Sequence, residues 1–120
     1  MGMNKIYYLS TCSTCSRIIK ELAISDNEFE MQDIKTQPVT NDQLREMKSM
    51  SGSYEALFSR RSMKFRPMGL HEKILNEDDY KKYILEEYTF LKRPVIIIGN
   101  EIFIGNSKKN IESAARALGL

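Results

Sequence analysis

The chain is poor in the residue types that bind metal ions. It has two cysteines, Cys12 and Cys15, and a single histidine, His71, among 120 residues. A Cys-x-x-Cys pair needs a second pair of thiol or imidazole ligands to complete a tetrahedral zinc site. One chain lacks those ligands, and only a second copy sharing the ion could supply them. We therefore expect no metal and no bound cofactor.

Long apolar runs are also missing. No stretch approaches the roughly 20 apolar residues that a membrane-spanning helix needs. The N-terminal segment MGMNKIYYLS has no long apolar region of the kind found in secretion signals. We therefore expect a cytoplasmic protein without a membrane partner. In that compartment a permanent structural disulfide is disfavoured.

An excess of one charge is missing too, since 18 basic residues face 16 acidic ones and the net charge is +2. This balance does not call for nucleic acid as a direct partner. Hydrophobic residues make up 42% and charged residues 28%, a composition typical of a folded protein with an apolar core. The length suits one domain, and no repeat or low-complexity linker divides it.

The hydrophobic periodicity predicts the order β-α-β, a helical middle, and β-β-α. The first unit favours a right-handed parallel crossover, and the last two strands read as a hairpin. We therefore predict an α/β, thioredoxin-like fold: a small mixed sheet with flanking helices and a helical insertion. The single domain is 1–120, with a core of about 3–37 and 91–120 and an insertion of about 38–90. The predicted strands are 5–9, 29–34, 94–99 and 101–105, and the predicted helices are 13–23, 41–50, 54–60, 76–88 and 107–119.

The first predicted helix begins at the cysteine pair. Its apolar spacing is typical of a helix with one buried face. A hydroxyl group just before it, or in its first position, is expected to cap its start. The expected apolar face is Ile18, Ile19, Leu22 and Ala23, and the candidate caps are Ser10, Thr11 and Ser13.

The cysteine pair stands where a strand runs into a helix, the place where ligands collect in α/β folds. Cys12 falls at the helix start, where free N–H groups and the helix dipole stabilise a thiolate. A thiol pKa of about 8.5 falls to roughly 3.5–7.5 in such settings. Cys15 lies one turn further on. We therefore interpret Cys12 as a nucleophile and Cys15 as its resolving thiol; the alternative is two small buried residues.

A helix start is also a place where anions bind, because its N–H groups have no partner within the helix. Hydroxyl groups of Ser13 and Thr14 could donate further hydrogen bonds to an oxyanion beside Cys12. The sequence thus indicates a site for thiolate attack on a bound oxyanion.

Four segments together resemble the arsenate reductase (ArsC) family, including its Spx and YffB-like branches. They are YYLSTCSTC, LFSRRSMKF, FLKRPVIII and IFIGNSKKNI, and they follow the family's order along nearly the whole chain. By this resemblance Arg61 matches a family arginine, with Arg60 beside it. The resemblance also implies that Pro94 follows a cis peptide bond and faces the cysteine loop, which would bring Arg93 near Cys12.

The resemblance implies a thiol-dependent oxidoreductase of the arsenate reductase type. Cys12 would attack arsenate or a related electrophile, and Cys15 or an external thiol would resolve the product. The implied catalytic residues are Cys12, Cys15, Arg93 and Arg61, and the implied substrate-binding residues are Ser13, Thr14, Arg60 and Pro94. The implied partners are a small oxyanion substrate and a reductant, either glutathione with glutaredoxin or thioredoxin.

The chain also departs from the arsenate reductases it resembles. Those enzymes have one cysteine in this loop and a further arginine after the last strand, where this chain has Asn106, followed by Lys108 and Lys109. Paired thiols are closer to the Spx branch, whose members bind RNA polymerase and sense thiol oxidation. The alternative is therefore a redox-sensing regulator that binds an RNA polymerase subunit through a Cys12–Cys15 switch. Its candidate docking segment is 48–58, although Gly52 within that segment is better explained as a helix C-cap.

Overall fold

A computed structural model describes residues 4–120, and the predicted core start at residue 3 lies outside them. Four strands form one mixed sheet in the order β2-β1-β3-β4. The parallel β1–β2 pair, and the antiparallel pairing of β3 with both β1 and β4, agree with the predicted element order. The strands are β1 (Asn4–Tyr8), β2 (Phe29–Asp33), β3 (Val95–Ile98) and β4 (Glu101–Ile104).

Four α-helices occupy the positions where the periodicity predicts long helices. The segment predicted as a helix over 54–60 contains only a single 3-10 turn, Glu55–Leu57. Two further 3-10 turns are Leu70–Glu72 and Tyr88–Phe90. The helices are α1 (Ser13–Glu21), α2 (Asn41–Ser51), α3 (Glu77–Glu86) and α4 (Lys108–Ala117).

The chain forms two compact units. One, the sheet unit, runs to Gln37 and resumes from Arg93 to Leu120; the other, the helical unit, is Pro38–Lys92. Each unit has its own buried residues. That the two act as one domain stays a prediction.

One face of the sheet carries the core of the sheet unit. Ile6 and Ile96 are paired across β1 and β3, and both are fully buried. Helices α1 and α4 contribute Ile18 and Ile111 to the same cluster, so their apolar faces cover this side of the sheet. Burying one such side chain stabilises the fold by roughly 1.5–3 kcal/mol. The β1–α1 connection is thereby anchored at both ends.

The end of α1 differs from the prediction. The helix stops at Glu21, and Ala23 is exposed with a positive φ of 53°. The prediction that Ala23 belongs to the apolar face is therefore wrong. The turn at Ala23 instead brings Ile24 into the core, where it is 7% exposed.

Local capping defines the helices of the helical unit. Thr40 and Gln43 form a capping box at the start of α2, and Asn76 and Asp79 form another at the start of α3. Gly52 ends α2 in the left-handed conformation with φ 98°, which confirms its reading as a helix C-cap. No helix within residues 4–120 combines the length and the apolar character needed to cross a membrane.

Candidate active site

The loop between β1 and α1 positions Cys12 as the N-cap of α1. The N–H of Cys12 donates to the carbonyl of Leu9 at 3.0 Å, and its own carbonyl accepts the first helical hydrogen bond, from Ser16, at 3.1 Å. Cys12 has extended backbone angles, φ −94° and ψ 114°. No hydroxyl group takes the N-cap position, so the prediction that Ser10, Thr11 or Ser13 caps this helix is wrong.

The surroundings of Cys12 favour its thiolate. Burial has the largest single effect and opposes ionisation. The N–H and thiol of Cys15, the N–H of Thr14 and the positive charge of Arg93 act in the other direction. Together they outweigh burial, so the pKa of Cys12 is lowered from its ordinary value. Although the Cys12 sulfur makes no regular capping hydrogen bond, the nearby N–H groups stabilise its negative charge.

Cys15 behaves in the opposite way. It is 1% exposed, and burial raises its pKa to about 11, with the charge of Cys12 adding to the rise. A backbone hydrogen bond with Leu9 and the charge of Arg93 only partly counter these effects. Both cysteines are free thiols. The pair therefore combines an ionisable sulfur on Cys12 with a protonated sulfur on Cys15 that donates a hydrogen bond to it.

Arg93 contributes the positive charge that acts on both sulfurs. The Arg93–Pro94 peptide bond is cis, as the resemblance implies, and Pro94 is buried. Within residues 4–120, the Nη1 atom of Arg93 is buried and has no hydrogen-bond partner. Buried donors are nearly always paired, and leaving one unpaired is energetically unfavourable. This nitrogen is therefore a buried donor with unused hydrogen-bonding capacity, on the side chain whose charge acts on both thiols.

A hydrogen-bonded chain that sequence reasoning missed supports Pro94. The N–H of Gly105, whose φ is +90°, donates to the Pro94 carbonyl at 2.9 Å. The side-chain amide of Asn110 in α4 donates to the Gly105 carbonyl at 2.8 Å. The glycine at the end of a strand is the signal that could have indicated such a turn. Asn106, at the position where the resemblance places a further arginine, is exposed.

A second missed contact fixes the loop before Cys12. The hydroxyl of Ser10 donates to Asp33 at 2.5 Å, and the Lys35 N–H donates to the other carboxylate oxygen at 3.2 Å. The Ser10 hydrogen bond is the main cause that lowers the pKa of Asp33. Ser10 therefore ties the cysteine loop to the end of β2 instead of capping α1. An aspartate at the carboxyl end of the neighbouring parallel strand is the signal for this contact.

The remaining predicted site residues lie in two places. Ser13 and Thr14 open α1, with Ser13 exposed and Thr14 half-buried. Arg60 and Arg61 belong to the helical unit. Arg60 donates to the hydroxyl of Tyr80 at 2.7 Å and pairs with a nearby carboxylate, whereas the Arg61 side chain is exposed. A role for Ser13, Thr14, Arg60 or Arg61 towards an oxyanion stays a prediction.

Metal chemistry has no evident site in the described chain. Among residues 4–120, no group of three or more His, Cys, Asp or Glu side chains could hold a metal ion.

Comparison with known proteins gives concordant matches. Uncharacterized protein YusI of Bacillus subtilis (strain 168) is 26% identical over 109 residues, covering 88% of this chain and 92% of that protein. The structure of the YFFB (PA3664) protein has a TM-score of 0.78 at 20% identity, covering 97% of this chain and 99% of that one. Arsenate reductase from Vibrio cholerae gives 0.70 at 15% identity, covering 96% and 97%.

These structural matches show that the fold is the thioredoxin-like fold of ArsC proteins, as predicted. The model of the ArsC family matches residues 7–114, a range that includes the cysteine loop, the Arg93–Pro94 bond and most of α4. This match spans most of the chain, and it agrees with the resemblance carried by the four sequence segments. The chain belongs to the ArsC family.

Proposed function

We propose that this protein is a thiol-dependent oxidoreductase of the arsenate reductase type, acting on arsenate or a related oxyanion. One observation carries the proposal. The pKa of the Cys12 thiol is lowered, in part by the positive charge of Arg93, and the same arginine has a buried nitrogen without a hydrogen-bond partner. A thiolate and a free cationic donor are what attack on a dianion requires, because the donor offsets the repulsion between negative charges.

In the proposed first step the Cys12 thiolate attacks arsenic in arsenate. A sulfur–arsenic bond forms, an arsenic–oxygen bond breaks, and the oxygen leaves as water after protonation. The N–H groups at the start of α1 and the guanidinium of Arg93 would hold the remaining oxygens. We assign supporting roles to Arg61, Arg60, Ser13 and Thr14, as the resemblance implies.

In the second step the sulfur of Cys15 attacks the sulfur of Cys12. A disulfide forms, the sulfur–arsenic bond breaks, and its electron pair passes to arsenic, which leaves as arsenite. The order of events follows from the charges. Burial and the negative charge of Cys12 raise the pKa of Cys15, so Cys15 stays protonated while Cys12 is the thiolate. Cys12 is therefore the sulfur that attacks first.

The disulfide must then be reduced for a further cycle. We propose glutathione with glutaredoxin, or thioredoxin, as the source of the two electrons, in a cytoplasmic setting where these thiols are kept reduced. An external thiol could also replace Cys15 in the second step. In that case the product on Cys12 is a mixed disulfide rather than an internal one.

The test is intact-mass analysis with thiol counting on reduced protein kept free of oxygen. Arsenate should convert Cys12 and Cys15 to a disulfide, whereas phosphate, its close analogue in shape and charge, should not. Cys15→Ser should stop at an arsenic adduct or at a mixed disulfide with added glutathione. Cys12→Ser is the matched control and should be inert. Turnover that survives in Cys12→Ser would overturn the proposal.

A second candidate is the redox-sensing regulator, favoured by a hydrogen-bonded thiol pair together with an uncharged Asn106 at the position of the expected arginine. Here Cys12 and Cys15 form a reversible disulfide that changes binding to an RNA polymerase subunit, and no oxyanion is consumed. Surface plasmon resonance with purified RNA polymerase, using reduced and diamide-oxidised protein, tests it. Equal binding in the two states, or no binding in either, would rule this reading out.

A further inference from the structure

A cavity of about 380 Å³ lies wholly within the helical unit. Its walls come from the segment after the Arg60–Arg61 pair and from the start of α3. They combine apolar and aromatic side chains with three basic ones and no carboxylate. The lining residues are Arg60, Phe65, Leu70, His71, Lys73, Ile74, Leu75 and Tyr80.

The apolar side of this cavity is firmly held. Leu70 is 1% exposed, and Tyr80 is 5% exposed. The rings of Phe65 and Tyr80 both pack on Phe58, with centroid distances of 6.1 Å and 4.9 Å. These contacts fix the rings that face the cavity, so it does not depend on a mobile wall.

Ile74 departs from this pattern, because it lines the cavity and yet is fully exposed, at 101%. A large aliphatic side chain left entirely in water gains free energy when a ligand covers it. Its position at the rim therefore favours a ligand with an apolar part.

Two of the three basic side chains at the cavity are paired with carboxylates of residues outside its lining. Arg60 has Glu55 as an ion-pair partner at 3.3 Å, and His71 has Glu72 at 3.6 Å. Neither glutamate lines the cavity. Lys73 has no side-chain partner among residues 4–120. A cavity with an apolar wall, an uncompensated ammonium group and no lining carboxylate is suited to an anion that has an apolar body.

We propose that this cavity binds a small organic carboxylate with an apolar body of one or two rings. The carboxylate would pair with Lys73 and the free donors of Arg60, and the apolar body would cover the half-buried Phe65 and the exposed Ile74. The volume lies at the lower end of the range of about 300–1,000 Å³ that is typical of small-molecule sites. This inference involves neither cysteine, and Arg60 is the one residue that it shares with the proposed oxidoreductase function.

Heteronuclear NMR titration of the full-length protein tests it with three probes: 2-naphthoate, 2-naphthalenemethanol and acetate. The first has both the apolar body and the charge, and each of the others has one of them. Naphthoate should bind at least about tenfold more tightly than either, because both halves contribute. Its shift changes should centre on the backbone of residues 70–75. Comparable binding of acetate or of the alcohol, or shifts centred elsewhere, would overturn the proposal.

Substitutions of two exposed residues separate the contributions of charge pairing and of apolar contact to naphthoate binding. Lys73→Gln should weaken naphthoate binding by about fivefold or more and leave the alcohol unaffected, since it removes only charge pairing. Ile74→Ser should weaken both. Lys82→Gln is the matched control, because Lys82 is an exposed lysine of the same unit outside the cavity. An equal loss in Lys73→Gln and Lys82→Gln would show diffuse charge attraction and refute the site.

Discussion

Replacing Arg93 by methionine should stabilise the protein while weakening its thiol chemistry. The Nη1 atom of Arg93 is a buried donor without a partner in the described chain. Methionine keeps an unbranched apolar stem but has no donor to bury. The substitution therefore removes an unsatisfied polar group and leaves the packing of the stem largely in place. Arg93 therefore lowers the stability of the ligand-free protein at the point where a ligand would bind.

The size of the effect follows from the cost of an unpaired buried donor, about 1–3 kcal/mol. In wild-type protein the gain is partly offset, because Arg93 also stabilises the Cys12 thiolate. A Cys12→Ser background removes that offset. There, Arg93→Met should raise the free energy of unfolding by about 1–3 kcal/mol, which corresponds to roughly 3–5 °C per kcal/mol in the melting temperature for a chain of this length.

Urea unfolding followed by circular dichroism, under reducing conditions at neutral pH, measures this directly. The free energy of unfolding should fall with urea concentration at the same slope in both proteins. The shift of the unfolding midpoint then reports the change in stability alone. The smaller gain in the wild-type background then gives the coupling between Arg93 and the thiolate. Added sulfate should stabilise the arginine protein more than the methionine variant, because only the former retains the free donor.

Arg17→Met is the matched control. Arg17 lies on the same helix as the cysteines, but its side chain is 63% exposed and its ion pair with Glu21 is long, at 3.9 Å. We expect a change within about 0.5 kcal/mol. If Arg93→Met in the Cys12→Ser background instead lowered stability by more than the control, the unpaired nitrogen would not be a source of strain, and the reasoning would fail.

Other expectations concern the thiols, the loop and a helix end. Alkylation of Cys12 should rise with pH through a midpoint below that of an ordinary thiol, whereas Cys15 should react only in strongly alkaline solution, near its pKa of about 11. Asp33→Asn should destabilise by up to about 1 kcal/mol at neutral pH. Because the folded-state pKa of Asp33 is lowered, the difference from wild type should begin to shrink as the pH falls through about 4 and should vanish only below that lowered pKa, and Ser10→Ala should mimic it. Gly52→Ala should lower the free energy of unfolding by about 1 kcal/mol, measured by thermal unfolding. Only the positive φ of residue 52 causes this loss, since no atom lies within 4 Å of the added carbon. An unchanged stability would contradict this reasoning.

Local patterns were sufficient to predict the four strands and the four α-helices, but not that the segment 54–60 contains only a single 3-10 turn. Strands and helices follow from apolar periods of 2 and about 3.6, which depend only on neighbouring residues. The C-cap at Gly52 is local in the same sense. The start of α1 was placed correctly but its cap was not: Cys12 takes the N-cap position, and the Ser10 hydroxyl donates to Asp33, 23 residues away. Ala23 was assigned to the apolar face because periodicity does not register where a helix stops.

In the candidate site, too, some features follow from the local sequence and others only from contacts between distant segments. The sequence by itself determined that two thiols stand at a helix start, since a strand, a cysteine pair and an amphipathic segment follow one another directly. Only the tertiary structure decided that the pKa of Cys15 is raised, because its burial is set by side chains from distant segments. It also decided that Arg93 keeps a buried free donor, while Arg60 is held by Tyr80, 20 residues further along the chain. Charge and hydrogen-bond partners depend on what folding brings together, and no local pattern encodes that.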